Sequence, residues 1–150
     1  MSRFLAMDMD ERWVNRSPAI MLETFHWFRG EGFDCIVEDL LALPAETGVL
    51  AEGFRLLPRL VAPLLTAPGQ GVWLLPTPEF RRAAFDRRGW EIPGRTGDPE
   101  RAARNLLDRD RMFTDRLRGE TRRLHLPTVE VSTAMTEDEV IDTVSRVFRM

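Results

Sequence analysis

Three short apolar runs, none long enough for a helix, are spread through this chain with helix-like segments between them. They are Gly48-Val49-Leu50-Ala51-Glu52, Val72-Trp73-Leu74-Leu75 before Pro76, and Thr128-Val129-Glu130-Val131 after Pro127. Strands separated by helices need crossover connections, which favour parallel pairing with helices packed on the sheet. The lack of clean alternation in the runs suits a sheet covered on both faces. The order α-α-β-α-β-α-β-α therefore predicts a three-layer α/β domain, a parallel sheet with flanking helices. Ligands of such sheets lie beyond the carboxyl ends of the strands. Those ends are Glu52-Gly53-Phe54-Arg55, Pro76-Thr77-Pro78 and Ser132-Thr133.

The helices are marked by their caps and spacing. Ser17-Pro18 opens one with Met21, Phe25 and Phe28 on a single face, ended by Gly30 and Gly32. Phe33, Ile36, Val37, Leu40 and Leu41 follow helical spacing up to the stop at Pro44. A strand over Asp34–Val37 fits that pattern less well. A further helix spans Leu56–Leu65, interrupted near Pro58. Thr77 and Pro78 start one that runs to Arg88. Residues 89–97 hold three Gly and one Pro and read as a mobile loop. Asp98-Pro99 starts the longest helix, to about Leu124, with Ala103, Leu106, Phe113, Leu117 and Leu124 on its apolar side. Thr136 and Glu139 form a capping box ahead of Val140, Ile141, Val144 and Val147. Residues 1–16 are polar, lack a period and are expected to be disordered.

The 150 residues suit one domain, 1–150, with 43% apolar and 30% charged residues. All 21 basic residues are Arg. Without Lys, this chain has no Schiff-base chemistry, no Lys general base and no P-loop Lys. The lone Cys35 excludes an internal disulfide and a Cys-rich zinc site, and reads as inert packing. His26 and His125 have no metal-ligand spacing, so no metal site is assigned. No apolar run reaches the roughly 18–20 residues of a membrane span, and no leader is evident, so a reducing cytoplasm is expected. A net charge of −3 argues against nucleic acid as a partner. The charge is uneven. Residues 1–52 hold four Arg against ten acids, net −6, while residues 79–123 hold thirteen Arg against nine acids, net +4. Such an Arg-rich stretch is either a local anion site or a solvated, salt-bridged helix.

The runs VLAEGFRLLPRLVAPLL, VWLLPTPEFRRAAFDRRG, DPERAARNLLDRDRMFTDRLRGE and PTVEVS resemble the later part of P-loop kinase-like NTPases. The group meant is the nucleoside and nucleotide kinase-like proteins, actinobacterial ones included. DERWVNRSPAIMLETFHWF and IVEDLLALP look like the substrate-side helices of the same group, so the resemblance covers about residues 8–150. It implies ATP and magnesium as cofactors, with a small molecule or nucleotide as phosphate acceptor. The GxxxxGK[ST] cradle of that family is not in this sequence. Gly69-Gln70-Gly71 precedes a strand, Gly30-Glu31-Gly32 lies between helices, and Gly94 and Gly97 fall in an expected lid over residues 89–104. The resemblance also implies a central strand between the runs at 49–52 and 72–75, and hence that Met1 is an internal start.

Glu52, expected at a strand's ligand end, is the candidate catalytic residue. It would orient magnesium-bound water or act as general base, unless it only bonds neighbouring backbone. Arg104, Asp108, Arg111, Asp115, Arg118 and Arg122 share one face at 3/4 spacing, the pattern of a salt-bridge ladder. The resemblance implies instead that lid arginines close over transferring phosphate, with Arg104, Arg109 and Arg111 foremost. Arg81, Arg82 and Arg55 are further phosphate-binding candidates. Asp8 and Asp10 are weighed as an acidic substrate turn against a disordered start. Trp13, Trp27, Trp73 and Trp90 read as core residues, with Trp90 alternatively stacking on a base. Three readings follow. The first is part of a nucleotide-dependent phosphotransferase, inactive alone for want of the phosphate-binding loop. The others are a non-catalytic pseudo-kinase that binds or interacts, and a homo-oligomer in which another chain completes the sheet.

Overall fold

In the computed structural model, which describes residues 2–46 and 48–148, helices dominate. They are α1 (Ser2–Ala6), α2 (Met9–Trp13), α3 (Pro18–Thr24), α4 (His26–Arg29), α5 (Phe33–Leu41), α6 (Pro58–Val61), α7 (Pro78–Arg88), α8 (Pro99–Arg123) and α9 (Glu137–Phe148). Short 3-10 turns follow α6 and precede both β1 and α8. Among the described residues only two strands form, β1 (Trp73–Pro76) and β2 (Thr128–Val131). They pair in parallel, with Trp73 beside Thr128 and Pro76 beside Val131. No helix among the described residues is long and apolar enough to cross a membrane.

This corrects the expected fold. The protein is a mainly helical molecule with a two-stranded parallel sheet, not a three-layer α/β domain. Residues 48–52 are exposed and belong to no strand. Only three apolar residues stand there between two polar or Gly ends, and Leu50 remains 83% exposed. A strand without a hydrogen-bonded neighbour and without a covered face has nothing to hold it. The flank of β1 is engaged otherwise: the Trp73 indole Nε1 donates to the Leu56 carbonyl at 3.0 Å, and Leu57 next to it is fully buried.

Side-by-side residues of parallel strands share a face. Trp73 and Leu75 are buried beside exposed Thr128 and Glu130, whereas Val129 and Val131 are buried beside exposed Leu74 and half-buried Pro76. Each strand thus buries a different face. α8 packs on β1 and α9 on β2.

The main core lies outside the sheet. Leu22 (α3), Phe28 (α4), Leu57 and Phe113 (α8) form it, with Phe25, Leu60, Met112 and Leu117 packed around them. Phe28 and Phe113 stack with centroids 3.9 Å apart. The helix expected from Ser17 to Gly30 breaks at Phe25, whose extended backbone (ψ 107°) ends α3 and starts α4. The break turns Phe28 towards Phe113. The first sixteen residues, expected to be disordered, carry α1 and α2. Asp8 caps α2 by accepting from the Glu11 amide at 2.7 Å. The Asn105 amide of α8 donates to the Trp13 and Val14 carbonyls at 3.0 and 3.1 Å. A polar start without a period is thereby held by a side chain ninety residues away.

Candidate functional site

At the carboxyl end of β1 a cavity of about 480 Å³ opens between α7 and α8. Thr77 is the local hinge. Its amide donates to the Val131 carbonyl at 2.9 Å and so continues the strand pairing. Its hydroxyl accepts from the Phe80 amide at 3.2 Å and starts α7, with Pro78 at the first helical position. The positive end of the α7 dipole therefore faces the cavity. Arg81 and Arg82 enter from α7, Arg111 and Arg118 from α8.

The arginines are not equivalent. Arg81 is half-buried, and its Nε is shielded from solvent with no hydrogen-bond acceptor. The nearest carboxylate oxygen is Asp110 Oδ2 at 3.7 Å, an ion pair beyond hydrogen-bond range. Asp110 Oδ1 is taken by Arg109, from Nε at 3.0 Å and Nη2 at 2.6 Å. Arg111 reaches Asp115 at 3.6 Å and Asp108 at 3.9 Å. Arg118 donates to Asp115 at 2.6 Å and to Glu130 at 3.3 Å. The cavity lining counts these four arginines against Glu79, Asp86, Asp108, Asp110 and Asp115, so its net charge is −1. The lining therefore carries no cationic excess; what it does hold is a shielded Arg81 Nε without an acceptor and exposed ion pairs, which hold their partners weakly.

Other candidate residues lie elsewhere. Glu52 is exposed in the unpaired segment 48–52, so the strand end that suggested catalysis does not form. Arg55 donates to the Gly32 carbonyl at 3.0 Å and lies 5.6 Å from the Trp27 ring, tying its loop to the α4–α5 turn. Arg104 pairs with Glu100 one turn earlier at 3.7 Å and stays exposed, in keeping with a salt-bridge ladder. Arg109 does not point to a lid. Its guanidinium sits 5.6 to 5.9 Å from the Trp13, Phe25 and Phe28 rings, with the side chain only 12% exposed. Residues 99–104 of the expected lid are the first turns of α8, and the loop before them is tied down where the Gly97 amide donates to Asp10 at 2.7 Å. Asp10 is thus a structural acceptor. Cys35 is exposed, so it packs nothing.

Asp110 and Thr114 are the cavity residues that sequence spacing passed over. Both lie off the 3/4 stripe of charges, and Asp110 was hidden by its position next to Arg109. The signal that could have found it is an acid placed on the half-apolar flank of α8. Among the described residues no group of three or more His, Cys, Asp or Glu side chains is arranged to hold a metal ion.

Comparison with protein families, with curated proteins and with solved structures finds no match to this chain. The reading of the site rests on its own geometry.

Proposed function

We propose that the cavity between α7 and α8 binds the phosphate group of a small phosphorylated molecule, and that the chain is the arginine-bearing part of a nucleotide-dependent phosphotransferase. The observation that carries this is Arg81: a guanidinium at the carboxyl end of a parallel strand, beside a helix N-terminus, with a buried Nε lacking an acceptor. Arg82, Arg111 and Arg118 in the same cavity supply further donors to a tetrahedral anion. The sequence resemblance to kinase-like NTPases supports the second half of the reading. The residues do not fit a magnesium-bound triphosphate. The chain has no lysine, and among the described residues no three carboxylates converge. No transfer step is therefore assigned to this chain alone, and it is expected to hydrolyse no ATP. An exposed, unpaired Cys35 suits a reducing compartment such as the cytoplasm.

The test is titration of the full chain with inorganic phosphate by calorimetry. Binding is expected, and Arg81→Gln weakens it at least about tenfold, whereas Arg104→Gln leaves it unchanged. Equal binding by wild type and Arg81→Gln refutes the site. Ordinary nucleotide turnover by the unaccompanied chain refutes the inactive-alone reading.

A second reading is favoured by one surface. α5 has no buried residue, and Leu41, Leu43, Val49 and Leu50 are all exposed. The occupant proposed for this surface is a second copy of the chain, since the acidic first third and the Arg-rich middle of one copy complement those of another. Sedimentation decides it: a dimer that dissociates in high salt is expected, and a monomer at all concentrations refutes it.

A further inference from the structure

Arg81 Nε is a donor without an acceptor, and the carboxylate oxygen nearest to it is an acceptor without a donor. Asp110 Oδ1 takes two hydrogen bonds from Arg109, while Oδ2 accepts none among the described residues. Those two donations fix the carboxylate, whose side chain is only 12% exposed, and so fix where Oδ2 points. Arg81 and Asp110 both line the cavity between α7 and α8, and at 3.7 Å they are too far apart to bond each other. The Thr114 hydroxyl in the same lining does not compete for Oδ2, because it donates to the Asp110 backbone carbonyl at 3.0 Å.

A ligand that satisfies both groups must offer an acceptor to Nε and a hydrogen to Oδ2. A fully ionised oxyanion offers acceptors only, and it brings its charge against the carboxylate. The lining has no cationic excess to offset that repulsion. A phosphate that keeps one proton presents both faces. We infer that the phosphate bound in this cavity is protonated, with its P–OH donating to Asp110 Oδ2 and an ionised oxygen accepting from Arg81 Nε. This rests on the phosphate reading of the cavity, and adds the form of the ligand and the residue that reads it. Asp110 is the specificity-determining residue. Arg109 is a positioning residue: it is not in the cavity lining and acts by holding Asp110.

The experiment compares three probes on the full chain by calorimetry at about pH 8: orthophosphate, methyl phosphate and sulfate. All three are mainly dianions there, and only orthophosphate still carries a proton, since a phosphomonoester loses its second proton near about pH 6. The wild type is expected to bind orthophosphate at least about tenfold more tightly than either of the others, the effect of one hydrogen bond to a charged group. Asp110→Asn keeps an oxygen for Arg109 and puts an N–H donor in place of Oδ2. It is expected to bring the three probes within about twofold of one another. Equal affinity of the wild type for the three dianions overturns the protonated form and leaves the phosphate site standing, and this arm needs no variant to fold. A preference for orthophosphate that survives Asp110→Asn overturns the role of Asp110. Absence of binding by all three probes overturns the phosphate site and this inference with it.

Discussion

Arg109 illustrates how one residue changes meaning between a sequence and a fold. The resemblance to kinase-like proteins places it beside Arg104 and Arg111 as a phosphate-facing lid arginine, yet it is a quarter-turn or more off their stripe and faces Trp13, Phe25 and Phe28. There it offsets the cost of burying Asp110, to which it donates twice. Asp110 in turn sits 3.7 Å from Arg81, so the aromatic core and the cavity are joined through a single carboxylate. Arg109→Met keeps the length of the side chain and removes its charge. It is expected to lower the unfolding free energy by about 2 kcal/mol in urea denaturation; an unchanged midpoint would show that Arg109 is not part of the core. Gly30 is a second residue whose role is steric. Its φ of 93° closes α4, and a Cβ there would meet Leu60 Cδ1 at 2.6 Å. Gly30→Ala is expected to cost at least about 1 kcal/mol, from left-handed strain before any clash is counted.

Helix starts are legible one at a time because a cap is a local device. Ser17, Thr77 and Asp98 each accept from the amide three residues on, and Pro follows each of them. The box before α9 is reciprocal: the Thr136 amide donates to Glu139 Oε2 at 2.8 Å, and the Glu139 amide donates to the Thr136 hydroxyl at 3.2 Å. These bonds from the Thr136 backbone, then from its hydroxyl, hold the Glu139 carboxyl below its ordinary value of 4.5. A carboxylate whose folded pKa is depressed stabilises the fold above the unfolded value and loses that contribution as pH falls through the folded one. The first turn of α9 is therefore expected to fray on acidification below pH 4.5, read as faster hydrogen exchange at residues 137–143. Glu139→Gln should exchange with little dependence on pH over the same range; a pH response equal to that of wild type would rule the carboxyl out. The three apolar runs fared less evenly. Those at 72–75 and 128–131 became β1 and β2, while 48–52 found no neighbour to bond.

At the scale of the molecule, α8 is the shared wall. Its 25 residues span about 37 Å, and it packs against α2, α3, α6, α7 and β1. Leu106, at 1% exposure, lies in its N-terminal half. Leu106→Ala is expected to cost about 2 to 5 kcal/mol. Because one helix serves both the aromatic core and the sheet, tryptophan fluorescence and far-UV circular dichroism should shift together in urea. Transitions that separate would mean that the two ends of α8 unfold independently. Glu120 near its end ties α8 to α6, accepting from Arg59 Nη1 at 3.0 Å with its own side chain only 8% exposed.

Local chemistry alone determined the caps, the ends of α5, the position of β2 and the charge stripe of α8, since each depends on residues within a turn or two of one another. The number of strands, the order in the first sixteen residues, the burial of Arg109 and the meeting of Arg81 with Asp110 were decided by tertiary structure. Each needs partners far away in sequence, as Arg81 needs Asp110 and Arg109 needs Trp13, and no period or motif encodes which distant face arrives first. A strand exists only when something pairs with it, and a charge becomes a site only when packing leaves its donors unanswered.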